Sequence, residues 1–193
     1  RELIDNWESF AAELRGAHES PEGVLRVIVP HAFGQDRLVA PLARYLQAYP
    51  GMRVEWLLHD DRAIDSFIAS GIDCAIQVGE VSDPELVCIR LAEVPRIVVG
   101  APALFADRPL PGHADALAQL PWLALTAFYR NRIRLHHAAS GQVRELGFRP
   151  RVSTDSLHAL RSACLQGLGV CVGSTWVFAD DLAAGRLVRL VPE

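Results

Sequence analysis

The 193-residue chain is half apolar and carries a formal charge of −4. That is enough non-polar side chain for one large core or two modest ones, and too little positive charge for a nucleic-acid-binding face. Every one of its 19 basic residues is arginine, which excludes a Schiff-base lysine, a phosphate-loop lysine or a Ser-Lys dyad within the chain.

Residues 1–16 place Leu3, Trp7, Phe10 and Leu14 on a narrow helical seam too short to be stable alone, which predicts the tail of a longer helix. The polar, breaker-rich stretch Gly16 to Gly23 then reads as a linker. Strand and helix alternate after it. VLRVIVP is a strand, RLVAPLARYLQAYPG a helix closed by Pro50 and Gly51, MRVEWLL a strand, RAIDSFIASG a helix and DCAIQVG a strand. Such alternation predicts a parallel sheet with right-handed crossovers. Pro41 fits best in a first helical turn, with the helix starting near Val39; a kinked helix starting closer to Gly34 is the alternative.

Next come two extended runs, LVCIRLAEV and RIVVGAP, separated by Pro95, where the chain is expected to leave one sheet and enter another. WLALTAF, the polar YRNRIRLHH segment, FRPRVST, the helix SLHALRSACLQG and the strand LGVCVGS form a second alternating set, and the tail adds a short helix, a turn at Gly185 and a strand. Two small α/β lobes of this kind place strand-end loops and helix N-termini around a shared cleft, where backbone N–H groups favour carboxylates or phosphates.

The individual motifs point away from catalysis. Cys74, Cys88, Cys164 and Cys171 lie in apolar runs without CxxC spacing, which predicts four reduced core thiols and a cytoplasmic chain. His136 and His137 would face opposite sides of a strand, which argues against a shared metal. Arg130, Arg132 and Arg134 alternate, which in an extended segment puts three guanidinium groups on one face, read as a solvated face with an anion site or partner patch as the alternative. GLGVCVG follows a helix and opens a strand, the reverse of a dinucleotide turn, so its glycines are expected to end the helix and permit close packing. The pairs Asp60–Asp61 and Asp180–Asp181 are placed just ahead of helices. No GxSxG, HExxH or Cys-His block is present, and no run approaches the roughly 20 apolar residues of a membrane span. We therefore expect no catalytic residue, no metal, no cofactor and no membrane association.

Several ordered blocks carry a family resemblance: GVLRVIVPHAFGQDRLVAPLARYLQAYPGMRVEW, GIDCAIQVG, LVCIRLAEVPRIVVGAP and ACLQGLGVCVGSTWVFADDLAAGRLVRLVP. From about Gly23 to Pro192 the chain resembles the effector-binding (regulatory) domain of LysR-type transcriptional regulators. The resemblance implies an α/β fold of two Rossmann-like subdomains joined by crossover strands, like a type II periplasmic binding protein. Residues 1–22 would be the end of a linker helix and its linker, 23–94 subdomain I, and 95–193 subdomain II without its usual C-terminal return to subdomain I. Arg1 in place of an initiator Met agrees with a fragment or processed chain. The resemblance also favours the kinked, earlier-starting helix around Pro41.

By the same resemblance, a small-molecule effector, a carboxylate or an aromatic acid, would meet His31, Ala32, Phe33, Gly34 and Gln35 after the first strand, with Gln77 and Val78. The remaining contacts would be Thr126, Ala127 and Phe128, Ser153 and Thr154, and Gly173 and Ser174. His31 either donates to the effector or caps its turn, and Thr154 is first a helix N-cap. Gln77 stands where many members have Arg, which removes a permanent positive charge and weakens the case for a strongly acidic effector. Self-association to a dimer or tetramer would use the linker helix and the helix over 35–48, and DNA would be met only through an N-terminal winged helix-turn-helix outside this chain. The rival readings are an extracytoplasmic solute-binding protein and a two-lobed transferase or dehydratase.

Overall fold

A computed structural model describes residues 21–60, 71–81, 83–137 and 140–191. The expected linker helix, most of the linker and nearly all of the helix over 62–71 lie outside them. The chain divides into two compact units, Arg1–Glu80 and Val81–Glu193, so the extended run before Pro95 falls with the second.

In the first unit β1 (Gly23–Val29) is the centre of a parallel sheet, flanked by β2 (Met52–Leu58) and the short β3 (Cys74–Ala75). Between β1 and β2 runs the helix that carries Pro41. A turn over His31–Phe33 passes through a π-helical stretch, Gly34–Leu38, into α1 (Val39–Ala48). Both sequence readings of Pro41 are thereby met in part. The proline sits in the first turn of α1, yet the helical path begins at His31. A proline deletes one ladder N–H and crowds the carbonyl four residues back, here Arg37. The wider π turn lies at that point, and Leu38 relaxes to φ −103°, ψ −14°.

The second unit is built on β4 (Arg96–Gly100), which pairs antiparallel with β9 (Cys171–Ser174) and with β10 (Val188–Leu190). A second ladder, β5 (Trp122–Leu125) with β8 (Pro150–Thr154), is parallel. A parallel bridge between Trp122 and Val170 links the two ladders. Alternation along the strands sends side chains to both faces. Ile97, Val99, Leu123, Leu125 and Cys171 pack with α2 (Leu157–Leu165) and α3 (Thr175–Ala183), whereas Val98, Trp122, Val170 and Val172 pack with Phe105, Leu117, Ile133 and Leu146. A sheet covered on both faces reads as continuous apolar runs, which is how WLAL and RIVVG appear in the sequence. Ile133 and Leu146 belong to a hairpin of β6 (Arg132–His136) and β7 (Val143–Gly147), whose second strand the sequence reading did not anticipate. Arg132 and Arg134 lie exposed on one face of it, as expected.

The GLGVCVG glycines act as the sequence suggests. Gly167, at φ +71°, follows the end of α2, and a Cβ on Gly169 would lie 2.5 Å from the Pro121 carbonyl oxygen, so only glycine lets β5 and the approach to β9 meet.

Three expectations are corrected. Asp180 and Asp181 lie inside α3, near its C-terminal end, instead of ahead of a helix. An acidic residue there opposes the helix dipole. Asp181 is fully buried and satisfied by Arg161 at 2.5 Å and Arg186 at 2.7 Å. The cysteines divide: Cys164 and Cys171 are core residues, but Cys74 and Cys88 are exposed. Residues 86–94 form no strand, and Val87, Ile89 and Leu91 are 96, 77 and 71% exposed. Apolar alternation in the sequence does not by itself supply a neighbour to cover them, and none does so among the described residues.

The thiols give a direct test of this core. Cys171 is pushed well above the ordinary thiol range by its hydrogen bond with Cys164 and by burial, whereas the Cys164 thiol donates to the Val99 carbonyl. Partial burial, then the Asp73 charge, raises Cys74 more modestly. Alkylation of the native chain followed by mass analysis is expected to label Cys74 and Cys88 promptly, and Cys164 and Cys171 only after denaturation.

Candidate functional site

In the first unit the carboxyl ends of three parallel strands come together. The Ile76 N–H donates to the Ile28 carbonyl at 2.8 Å and the His59 N–H to the Val29 carbonyl at 2.9 Å, bringing Gln77, Val78 and Asp60 beside the end of β1 where His31 begins. Ligands of open α/β sheets bind at such edges because strand-end loops and helix starts converge there. His31 and Gln35 are exposed, Phe33, Gln77 and Val78 half-buried, and Ala32 and Gly34 buried.

The two buried residues are packing positions. A Cβ on Gly34 would stand 2.4 Å from Val29 Cγ2 and 2.8 Å from Leu58 Cδ2, so this glycine lets the helical path rest on the sheet. The N–H of His31 is already engaged, donating to Asp60 Oδ1 at 2.9 Å. Pro30, the N-cap, has no side-chain acceptor, and Asp60 from the end of β2 supplies one with a charge that suits the helix dipole. The head of this helix thus carries a carboxylate of the chain itself.

In the second unit Leu125 and Thr154 are register partners at the carboxyl ends of β5 and β8. The Thr126 N–H donates to the Thr154 carbonyl at 2.9 Å and its hydroxyl to the same oxygen at 3.3 Å, which joins Thr126, Ala127 and Phe128 to Ser153 and Thr154. Thr154 is not the N-cap. Ser156 takes that place, accepting from the Ala159 N–H at 3.2 Å, and the Thr154 hydroxyl accepts from the Ser156 N–H one step earlier. Ser153, Thr154 and Ser156 all precede the helix, and only the backbone decides which one caps it.

Gly173 is buried, and a Cβ there would meet Phe178 at 2.7 Å and Leu157 at 3.2 Å. It lets the end of β9 lie against α2 and α3 and so places Ser174, which begins α3 without a side-chain capping bond. Opposite Ser174 in the antiparallel register stands Arg96, a residue the sequence reading passed over. Its guanidinium lies 5.2 Å from the centroid of Phe128 and 5.5 Å from that of Tyr129, and it donates to the Tyr129 hydroxyl. Pro95, just before it, had been read only as a break between strands, which hid the cation beside it.

No group of three metal-ligating side chains is found among the described residues, and His137 Nδ1 accepts from the Ser140 N–H at 3.1 Å. A shallow depression lined by Ala103, Leu104, Asp107, Arg108 and Gln166 contains none of the expected residues. No helix among the described residues is long and apolar enough to cross a membrane.

Residues 18–193 match the LysR substrate binding domain family. The chain belongs to that family. It is 27% identical over 187 residues to the HTH-type transcriptional regulator DmlR of Escherichia coli (strain K12), covering 94% of this chain and 58% of that protein. The full-length structure of the Vibrio cholerae virulence activator AphB superposes with a TM-score of 0.78 at 22% identity, over 98% of this chain and 64% of that one. That of CrgA, a LysR-type transcriptional regulator from Neisseria meningitidis, gives 0.76 at 24% identity over 99 and 64%. These structures share the fold of this LysR-type domain, the two-lobed periplasmic-binding-protein-like α/β architecture. The chain spans about 60% of the length of such relatives.

Proposed function

We propose that this chain is the effector-sensing part of a cytoplasmic LysR-type transcriptional regulator and has no catalytic role. A small carboxylate or aromatic acid is taken as the effector, and the candidate residues described above as those that meet it. DNA contact belongs to a winged helix-turn-helix beyond this chain, and regulation works through a dimer or tetramer. The observation that carries the reading is the convergence, in each unit, of the candidate loops at the carboxyl ends of parallel strands: His31 to Gln35 with Gln77 and Val78, and Thr126 to Phe128 with Ser153 and Thr154. For the effector to regulate, it must bind one conformation more tightly than another; affinity alone shifts no population.

A thermal-shift screen of small carboxylates and aromatic acids tests this. A ligand at a hundred times its Kd should stabilise the chain by about 2.7 kcal/mol, or roughly 5–10 °C at this size. His31→Ala and Thr154→Ala are expected to reduce the shift. Stabilisation that survives both changes intact would overturn the site.

A further inference from the structure

At the start of β4 a guanidinium is held in place without a counter-charge among the described residues. Arg96 lies over the Phe128 and Tyr129 rings and donates to the tyrosine hydroxyl. Arg26, Arg90, Arg132, Arg161 and Arg186 each pair with a carboxylate, whereas Arg96 does not among the described residues. A guanidinium has five N–H donors in a rigid fork, and one hydroxyl uses only part of that capacity. Two aromatic faces and a tyrosine fix its plane in advance, so little rotamer freedom is left to lose when a planar oxyanion docks.

Its surroundings are those of the site. Directly paired residues of an antiparallel ladder share a face, which puts Ser174 on the same side of the sheet as Arg96. The Ser174 hydroxyl makes no capping bond to α3. Phe128, the shelf under the cation, follows Thr126 and Ala127 in the loop joined to Thr154. The candidate residues of the first unit, by contrast, include no permanent cation, and the N–H of His31 faces Asp60. An anionic ligand therefore finds a prepared cation within the second unit.

We propose that Arg96 determines specificity: it takes a carboxylate of the effector in a two-point pair, with the Ser174 hydroxyl as a neighbouring donor, so the effector is a small carboxylic acid. The proposal rests on the effector-sensing reading and narrows it. Calorimetric titration of the 193-residue chain with benzoate, succinate and the neutral isostere benzamide tests it. At least one of the two carboxylates is expected to bind, and benzamide is expected to bind at least about tenfold more weakly than benzoate if benzoate is the one. Arg96→Gln should weaken carboxylate binding about ten- to a hundredfold. Arg96→Lys should recover only part of the loss, because it restores charge without the fork. Tyr129→Phe should cost a few-fold, and Arg134→Gln, on the exposed hairpin face, should cost nothing. Unliganded melting temperatures of the Arg96 variants close to that of the parent show that folding is not what changed. Carboxylate binding unaltered by Arg96→Gln, or no binding of either carboxylate at millimolar concentration, overturns the proposal. Stabilisation by a neutral compound that remains sensitive to Thr154→Ala would leave the effector-sensing reading standing while removing the carboxylate.

Discussion

Asp181→Ala is expected to lower the stability of the second unit by about 3 kcal/mol, read as a fall of roughly 6–12 °C in melting temperature. The carboxylate is fully buried, with one oxygen 2.5 Å from Arg161 Nε and the other 2.7 Å from Arg186 Nη2. Removing it leaves Arg161, whose side chain is 32% exposed, facing an empty acceptor position, whereas Arg186 at 55% can turn toward water. That escape keeps the cost at the lower end of the range for a broken buried pair. Burial alone would raise the Asp181 carboxyl, but hydrogen bonds and charge from Arg161 and Arg186 outweigh it and hold it below the ordinary carboxylate value. A depressed folded value means that the contribution is present above the unfolded carboxylate pKa, near 4, and is lost as pH falls through the lower folded one. Melting curves of parent and variant should therefore converge below about pH 4. A difference constant down to pH 2 would show that the charge of Asp181 is not what stabilises the unit.

Gly34→Ala should destabilise the first unit by about 1–3 kcal/mol and distort the loop that carries His31 and Gln35. The added Cβ would be 2.4 Å from Val29 Cγ2. Val29 is fully buried and β-branched, so its χ1 has little freedom to yield, and the helix start is expected to lift from the sheet instead. Gly34 keeps ordinary helical dihedrals, φ −60° and ψ −42°, so the penalty comes from contact and not from backbone strain. Hydrogen exchange localised to β1 and the helical stretch after it, with the second unit protected as before, is the expected signature. Unchanged exchange there would mean that the approach is looser than 2.4 Å implies.

Elements with a strong periodic signal were legible in the sequence. β1, β2, β4, β5 and β9 each contain a run of alternating or continuous apolar residues, and α2 falls where helical spacing put it, whereas α3 starts earlier than expected, at Thr175. What escaped were features that depend on a partner distant in sequence. β7 is mostly exposed and owes its strand state to β6, so its own residues carried little apolar period. The exposed Val87, Ile89 and Leu91 show the converse: a clear period without a covering element among the described residues.

The sequence alone determined the family, most of the order of strands and helices, the absence of lysine chemistry and the identity of the loops that end the parallel strands. The family and its loops come from the resemblance of ordered sequence blocks, and the elements from local spacing, which side-chain periodicity transmits without knowledge of neighbours. Tertiary structure alone decided that Asp181 is a buried ion-pair centre, that Asp60 occupies the head of the helix at His31, that Ser156 and not Thr154 is the cap, and that Arg96 rests on Phe128 and Tyr129. Each is set by a contact between residues brought together by folding or by the exact path of the backbone, and charge and hydrogen bonding act through distance in space, which position along the chain does not record.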